Sequence, residues 1–191
     1  MTHYSFSQFE PDILAQPLSL IQPLDSTSDV VAALNILLVS ICDKTEWEYG
    51  ESWLPNATHT LLELSPAWYI NRTLTMNQAI LWMQFQVWSR AFGLRLSEGM
   101  PGRIWHFQKP EWLEDVSAQS ETCFLRNQIA KVLNVKAGFG VPILVSAQVL
   151  AVVVFFMSKT RSPDPPLMAQ TQAIVRNFQY EFSTRMNYGS V

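Results

Sequence analysis

Charge is scarce in this 191-residue chain: Asp, Glu, Lys and Arg make up 15% of it, against roughly 25% in an average soluble domain. The imbalance between signs is small too, with 13 basic and 16 acidic residues and a formal charge of −3. No basic field exists, so electrostatic capture of nucleic acid or of an anionic membrane surface is excluded. Cysteine is scarcer still. Cys42 and Cys123 are too few for a disulfide scaffold and fit a reducing compartment. The amino terminus, MTHYSFSQFE, has no basic patch leading into an apolar run and does not read as a secretory signal. Long hydrophobic runs are missing as well. Asn35 interrupts the stretch 30–39, and Pro142, Ser146 and Gln148 interrupt 141–157, so neither gives the roughly 18 clean apolar residues of a spanning helix. A cytoplasmic protein that binds neither nucleic acid nor membrane is expected.

Chemical motifs are also wanting. His3, His59 and His106 show no metal-ligand spacing such as a pair at i, i+4. No Ser-His-Asp arrangement or phosphate loop is visible, and no metal or catalytic residue is assigned. Glu111, Glu114 and Asp115 cluster, but read as a solvated loop with Asp115 capping a turn. What the chain has is apolar bulk. Hydrophobic residues make up 48%, with seven Trp, eleven Phe and five Tyr. Disorder over most of the length is excluded, and the length fits one domain. So many aromatics with so little charge predict apolar surface covered by a partner or by a second copy.

Residues 1–27, with Pro11, Pro17 and Pro23 and no sustained period, read as an irregular arm whose Ile13, Leu14, Leu18, Leu20 and Ile21 could dock on the body. A helix start signal follows in Asp25-Ser26-Thr27-Ser28-Asp29. Val30, Leu34, Leu37 and Ile41 then mark one face of a helix over about 29–42, widened by Val31, Leu38 and Cys42. Alternation predicts a strand over 47–54, with Trp47, Tyr49, Glu51 and Trp53 on one face. A return strand is expected over 58–64 and a loop over 65–73. The next helix is expected over 76–92, with stripes Met76, Ile80, Met83, Val87 and Leu81, Phe85, Trp88, Phe92, ended by Gly93. Then come a turn at 98–102, a short strand at 103–107, a helix at 121–133 capped by Asn134, and strands at 136–144 and 148–157. Prolines at 163, 165 and 166 open a last helix with Leu167, Ile174, Phe178 and Phe182 on one stripe. This order implies an α+β fold: an antiparallel sheet with helices on both faces. The first and last helices share one face. The middle helices roof the other and leave a cleft for a small ligand.

Three segments in register resemble GAF domains. SEGMPGRIWHFQKPEWLEDVS, from Ser97 to Ser117, is similar to the central signature, a Gly-rich turn leading to an Asp-Val-Ser exit. VKAGFGVPILVSAQVLAVVVFFM, from Val135 to Met157, is similar to the closing hairpin. Residues 47–55 and LLELSP at 61–66 resemble the GAF modules of cyanobacterial sensor kinases. The resemblance implies a GAF-like central antiparallel sheet of five to six strands over a single domain at 28–187, followed by a short tail at 188–191. It implies a module of signal transduction that senses a small molecule or contacts another protein, and not an enzyme. Its output would pass to a separate signalling protein or through self-association. The ligand stays open. Bilin-binding members carry a Cys-His pair where this chain has Leu125 and Arg126, so a covalent bilin is not expected, with Cys123 as the sole alternative point of attachment. The Asn-Lys…Phe…Asp-Glu signature of cyclic-nucleotide binders is not found. Two rivals remain. One is a degenerate, ligand-free GAF domain serving dimerisation or docking. The other is a thiol enzyme such as the reductases of free methionine sulfoxide, which use several cysteines around the cleft.

The candidate ligand-binding residues are Trp53, Trp68, Trp105, His106, Trp112, Arg126 and Phe139; the aromatic ones are weighed against plain core filling, His106 against a satisfied structural histidine, and Arg126, which could contact an anionic group, against a side chain that simply faces solvent. Cys42 reads as a buried, inert thiol, and Cys123 lies near a helix start that favours a thiolate. A homodimer is expected through the helices near 30–41 and 167–182, with Val31, Leu38 and Val175 needing cover that one sheet face cannot supply.

Overall fold

The computed structural model describes residues 27–188. The arm expected at the amino terminus lies outside them except Thr27, which already opens a helix. The tail lies outside them except Tyr188, which closes one. The chain runs through α1 (Thr27–Lys44), β1 (Tyr49–Pro55), β2 (Leu62–Ile70), α2 (Met76–Ser89), β3 (Gly93–Leu94), α3 (Gly99–Phe107), β4 (Glu111–Leu113), α4 (Asn127–Val132), β5 (Gly138–Val145), β6 (Gln148–Phe156) and α5 (Pro165–Tyr188). The six strands form one sheet in the order β3-β2-β1-β6-β5-β4, and every neighbouring pair is antiparallel. The architecture is the expected one.

Several elements differ from their sequence reading. The return strand starts at Leu62 and runs on to Ile70. Residues 56–61 are a turn tied by Asn56, whose Oδ1 accepts from the amides of Thr60 (2.9 Å) and Leu61 (3.2 Å). Pro66 does not break the strand, because the register shifts there. Glu51 pairs with Trp68 but Trp53 with Leu64, a bulge opposite Ser52. A proline, which has no amide to give to the ladder, is tolerated at such a bulge. The amide of Ala67 instead meets Ser65 Oγ at 3.1 Å, and Ser52 Oγ donates to Ala67 O at 3.0 Å.

The segment at 103–107 is part of helix α3 and not a strand. Met100 and Ile104, one turn apart, are both buried, and Pro101 falls in the first turn. Gln108, at φ 54°, ends the helix in the left-handed region. Gly102 permits the tight turn before it: a Cβ there would lie 2.3 Å from the Arg95 carbonyl oxygen. Helix α2 ends at Ser89, and Gly93 begins β3 instead of capping the helix. Helix α4 is short, and its predicted stripe residue Val132 is 72% exposed.

Two apolar layers sandwich the sheet. On one face α1 and α5 pack through Leu34, Leu37, Leu38, Ile41, Leu167 and Val175. On the other, α2, α3 and α4 pack through Trp82, Phe85, Met100, Ile104 and Ala130. Leu38 and Val175 are fully buried inside this single chain, so neither needs a second copy to cover it. Trp47 joins the α1–α5 layer and not the face of Tyr49 and Trp53, because the pleat begins only at Tyr49.

Candidate functional site

The middle helices roof the sheet as expected, and the space between them is filled around an ion pair. Tyr49, Glu51 and Trp53 alternate along β1 and present their side chains to this layer, where none has exposed surface. Arg126, just before α4, is 2% exposed. Its guanidinium makes a two-pronged contact with Glu51: Nη2 to Oε1 at 2.6 Å and Nη1 to Oε2 at 3.1 Å. Nη1 also donates to Ser89 Oγ at the end of α2 (2.7 Å). The carboxylate takes two further bonds, from Trp53 Nε1 (2.9 Å) and Tyr49 Oη (3.2 Å). Charges taken out of water need this saturation, since each otherwise costs several kcal/mol, on the order of its unrepaid hydration. The planar fork of arginine matches the carboxylate in a way that lysine could not.

Four rings enclose the cation. The guanidinium carbon lies 4.8 Å from the Phe85 centroid, 5.0 Å from Trp53, 5.2 Å from Phe124 and 5.6 Å from Phe156. Burial, and after it the Glu51 carboxylate, raises the Tyr49 phenol well above its ordinary range, so Tyr49 stays a hydrogen-bond donor. The arrangement is electrically neutral and hydrogen-bonded throughout. It leaves no nucleophile or free acid to do chemistry, and what it does is lock α2, β1 and the α4 entrance together.

Of the residues singled out from sequence, Trp53 and Arg126 meet in this network. Trp68 and Trp105 are half-buried against the same layer. His106 is exposed on α3, where its Nδ1 meets Ser97 Oγ and its ring stacks on Phe107. No carboxylate completes a relay with it among the described residues. Trp112 and Phe139 lie on the opposite face. They cluster with Trp47, whose ring centroid is 5.4 Å from Trp112 and 6.3 Å from Phe139, and whose Nε1 donates to Thr171 Oγ1 (3.0 Å). Sequence reasoning missed Glu51, Ser89 and Phe85 as partners of Arg126. A signal was present, since Glu51 is the sole carboxylate on an otherwise aromatic strand face.

The two thiols are separated by the sheet. Burial, and then the negative charge of Asp43, pushes the Cys42 thiol far up in the α1–α5 layer. Cys123 is half-exposed, with its sulfur 3.7 Å from Arg103 Nη2. Arg103 is itself engaged by Glu111 (2.6 Å) and by the Cys123 carbonyl (2.7 Å). No cluster of His, Cys, Asp and Glu able to hold a metal occurs among the described residues. No helix there is long and apolar enough to cross a membrane.

This architecture recurs in solved structures. The GAF domain of a phosphoenolpyruvate-protein phosphotransferase from Coxiella burnetii superposes with a TM-score of 0.60 at 16% identity, over 85% of this chain and 87% of that one. The chain has the GAF fold. A GAF domain/HD domain protein from Geobacter sulfurreducens matches this GAF fold with a TM-score of 0.59 at 13% identity, over 84% and 94% of the two chains. So does free methionine-R-sulfoxide reductase from Neisseria meningitidis, solved with its substrate, with a TM-score of 0.55 at 13% identity over 83% and 78%. No model of a protein family matches the chain, and no curated protein does. At these identities the shared property is the GAF fold, and nothing singles out the cyanobacterial modules.

Proposed function

We propose that this GAF domain is a non-enzymatic regulatory module whose output is a protein contact, and that its helix–sheet cleft takes no diffusible ligand. The observation that supports this is the Arg126–Glu51 pair with its four rings, which occupies the space between β1 and the roof helices. A ligand entering there would have to break a doubly hydrogen-bonded buried ion pair.

The partner in this reading is a second copy of the chain, meeting it through α2. That helix carries no charged residue. Met76 (75% exposed), Ile80 (43%), Met83 (50%) and Val87 (56%) fall at i, i+4, i+7 and i+11 on one outward face, with Leu81 and Trp88 beside them. A face without charge can meet its own two-fold copy with no like-charge repulsion. The dimer expected from sequence is thereby moved from α1 and α5 to α2. Two measurements test the reading. Light scattering at micromolar concentration is expected to give a dimer mass, and Ile80→Glu with Val87→Glu a folded monomer with an unaltered circular dichroism spectrum; a wild-type monomer would sink the interface. A thermal-shift panel of cyclic nucleotides, amino acids, haem and bilin is expected to be flat. A specific ligand at 100 times its Kd adds about 2.7 kcal/mol, roughly 5–11 °C here, and such a shift would overturn the ligand-free cleft.

The fold neighbours that reduce free methionine sulfoxide raise a catalytic alternative. Reduction of a sulfoxide to a thioether and water oxidises two thiols to a disulfide. With Cys42 sealed in one layer and Cys123 on the other side of the sheet, this chain has no pair to close. Free methionine sulfoxide with a dithiol reductant is expected to show no enzyme-dependent turnover.

A further inference from the structure

An open groove lies away from the cleft, at one end of the sheet. It has a volume of about 1070 Å³ and runs between the start of α1, the β1–β2 turn and the β5–β6 turn. Its walls are chiefly aliphatic, including Val31, Leu54, Leu64, Pro66, Val145 and Leu150, and His59 and Glu63 are the titratable side chains among the described residues that line it. The turns that frame it are tightly built. Ser146 and Ala147, at φ 50° and 63°, form a two-residue hairpin loop, and Asn56 ties the other turn internally. The space lies at the upper end of the roughly 300–1,000 Å³ usual for small-molecule pockets, and it is open to solvent.

Thr27 and Ser28 stand on its rim. The chain that leads into Thr27 is therefore delivered to the groove. Residues 13–24 of that chain read ILAQPLSLIQPL, twelve residues without a single charge and with aliphatic side chains at 13, 14, 15, 18, 20, 21 and 24. Prolines at 11, 17 and 23 oppose a continuous helix. At no more than about 3.3–3.6 Å per residue, Leu24 reaches roughly 10 Å from Thr27 and Ile13 roughly 50 Å, enough to bring the segment into the groove. A short tether also raises local concentration to the order of millimolar, so even weak affinity fills the site in cis.

We propose that the groove is a docking site for an uncharged aliphatic, proline-containing peptide, and that residues 13–24 of the same chain are its occupant. This inference does not depend on the α2 interface or on the filled cleft.

The test uses the full-length chain with the photo-crosslinker benzoylphenylalanine in place of Leu18. Irradiation is expected to give crosslinks to residues 54–66 and 145–150 at the mass of a single chain. Val145→Glu, which puts a charge on the groove wall, is expected to cut the yield at least fivefold, while Val87→Glu on α2 leaves it unchanged. Hydrogen exchange in the same two turns is expected to quicken about tenfold in the doubly substituted Leu18→Asp, Ile21→Asp chain, with α5 unaffected. Absent crosslinks, crosslinks mapping elsewhere, crosslinks found only between chains, or turns whose exchange ignores the double substitution would each overturn the proposal.

Discussion

Replacing Arg126 by Met probes the buried pair with little change in bulk. The guanidinium makes three hydrogen bonds, two to Glu51 and one to Ser89. Met fills much of the same space among Trp53, Phe85, Phe124 and Phe156 but leaves the carboxylate with only the Trp53 and Tyr49 donors. Breaking a buried pair from one side costs about 3–5 kcal/mol, because the remaining charge is stranded. For a chain of this size that lowers the melting temperature by about 6–20 °C, at roughly 2–4 °C per kcal/mol. Glu51→Gln in the same background removes the stranded charge and keeps an acceptor for Trp53 and Tyr49. The double variant is therefore expected to be more stable than Arg126→Met alone, with a coupling energy of at least about 1.5 kcal/mol in a urea-denaturation cycle. A loss under about 1 kcal/mol for Arg126→Met, or two losses that simply add, would refute the view that these groups act as a unit.

Four further outcomes are expected. Thr171→Val strands the buried Trp47 Nε1 donor, which bonds Thr171 Oγ1 at 3.0 Å, and should cost about 1–3 kcal/mol by denaturant titration. Gly102→Ala sets a Cβ against the Arg95 carbonyl, a clash with backbone that cannot swing away, and should cost about 1–3 kcal/mol or more on the same assay. An aromatic disulfide reagent should titrate Cys123 in the native protein and reach Cys42 only on unfolding; two fast thiols would contradict the packing of α1. Desolvation, then the Asp43 hydrogen bond, raises the Tyr69 phenol to about 12, and the Tyr49 phenol is raised too. Both folded values exceed the unfolded one, near 10, so their contribution is present below about pH 10 and is lost as pH climbs beyond it. Ultraviolet phenolate absorbance at about pH 11 should show both still protonated in the folded protein.

Long elements with one dominant period were readable from sequence. Helix α1, strand β6 and helix α5 each sustain a clear pattern over several turns or pleats, and the order of elements with its two-sided packing followed from them. Faces were harder. Helix α2 has apolar residues all round and no charge, so no stripe selects the core side; the stripe Met76, Ile80, Met83, Val87 proved to be the outward one, and Trp82, Phe85 and Gln86 the buried one. Trp112 and Phe139 went to the α5 face because, on a strand, a one-residue uncertainty in phase exchanges the two faces. The candidate site was half-readable. Arg126 and Trp53 were singled out, but the bond that defines the site joins residues 75 positions apart, and no local spacing encodes it. α3 was mistaken because Pro101 and two glycines in a nine-residue helix mimic turn composition.

The strand order carries a consequence for how the molecule assembles. β1–β2 and β5–β6 are hairpins that each close over a short turn, events of about 1–10 μs in isolation. The middle of the sheet is a different kind of contact, since β1 and β6 come from opposite ends of the described chain and must find each other across everything between. Such non-local pairing is the slow step of sheet proteins. The Arg126–Glu51 bond bridges the same divide, tying a residue of the first hairpin to one just ahead of the second. If it forms only after the two halves have joined, the Arg126→Met substitution will leave the refolding rate nearly as it was and appear almost wholly as faster unfolding. The ion pair would then set how long the native state lasts, and the hairpins how quickly it is reached.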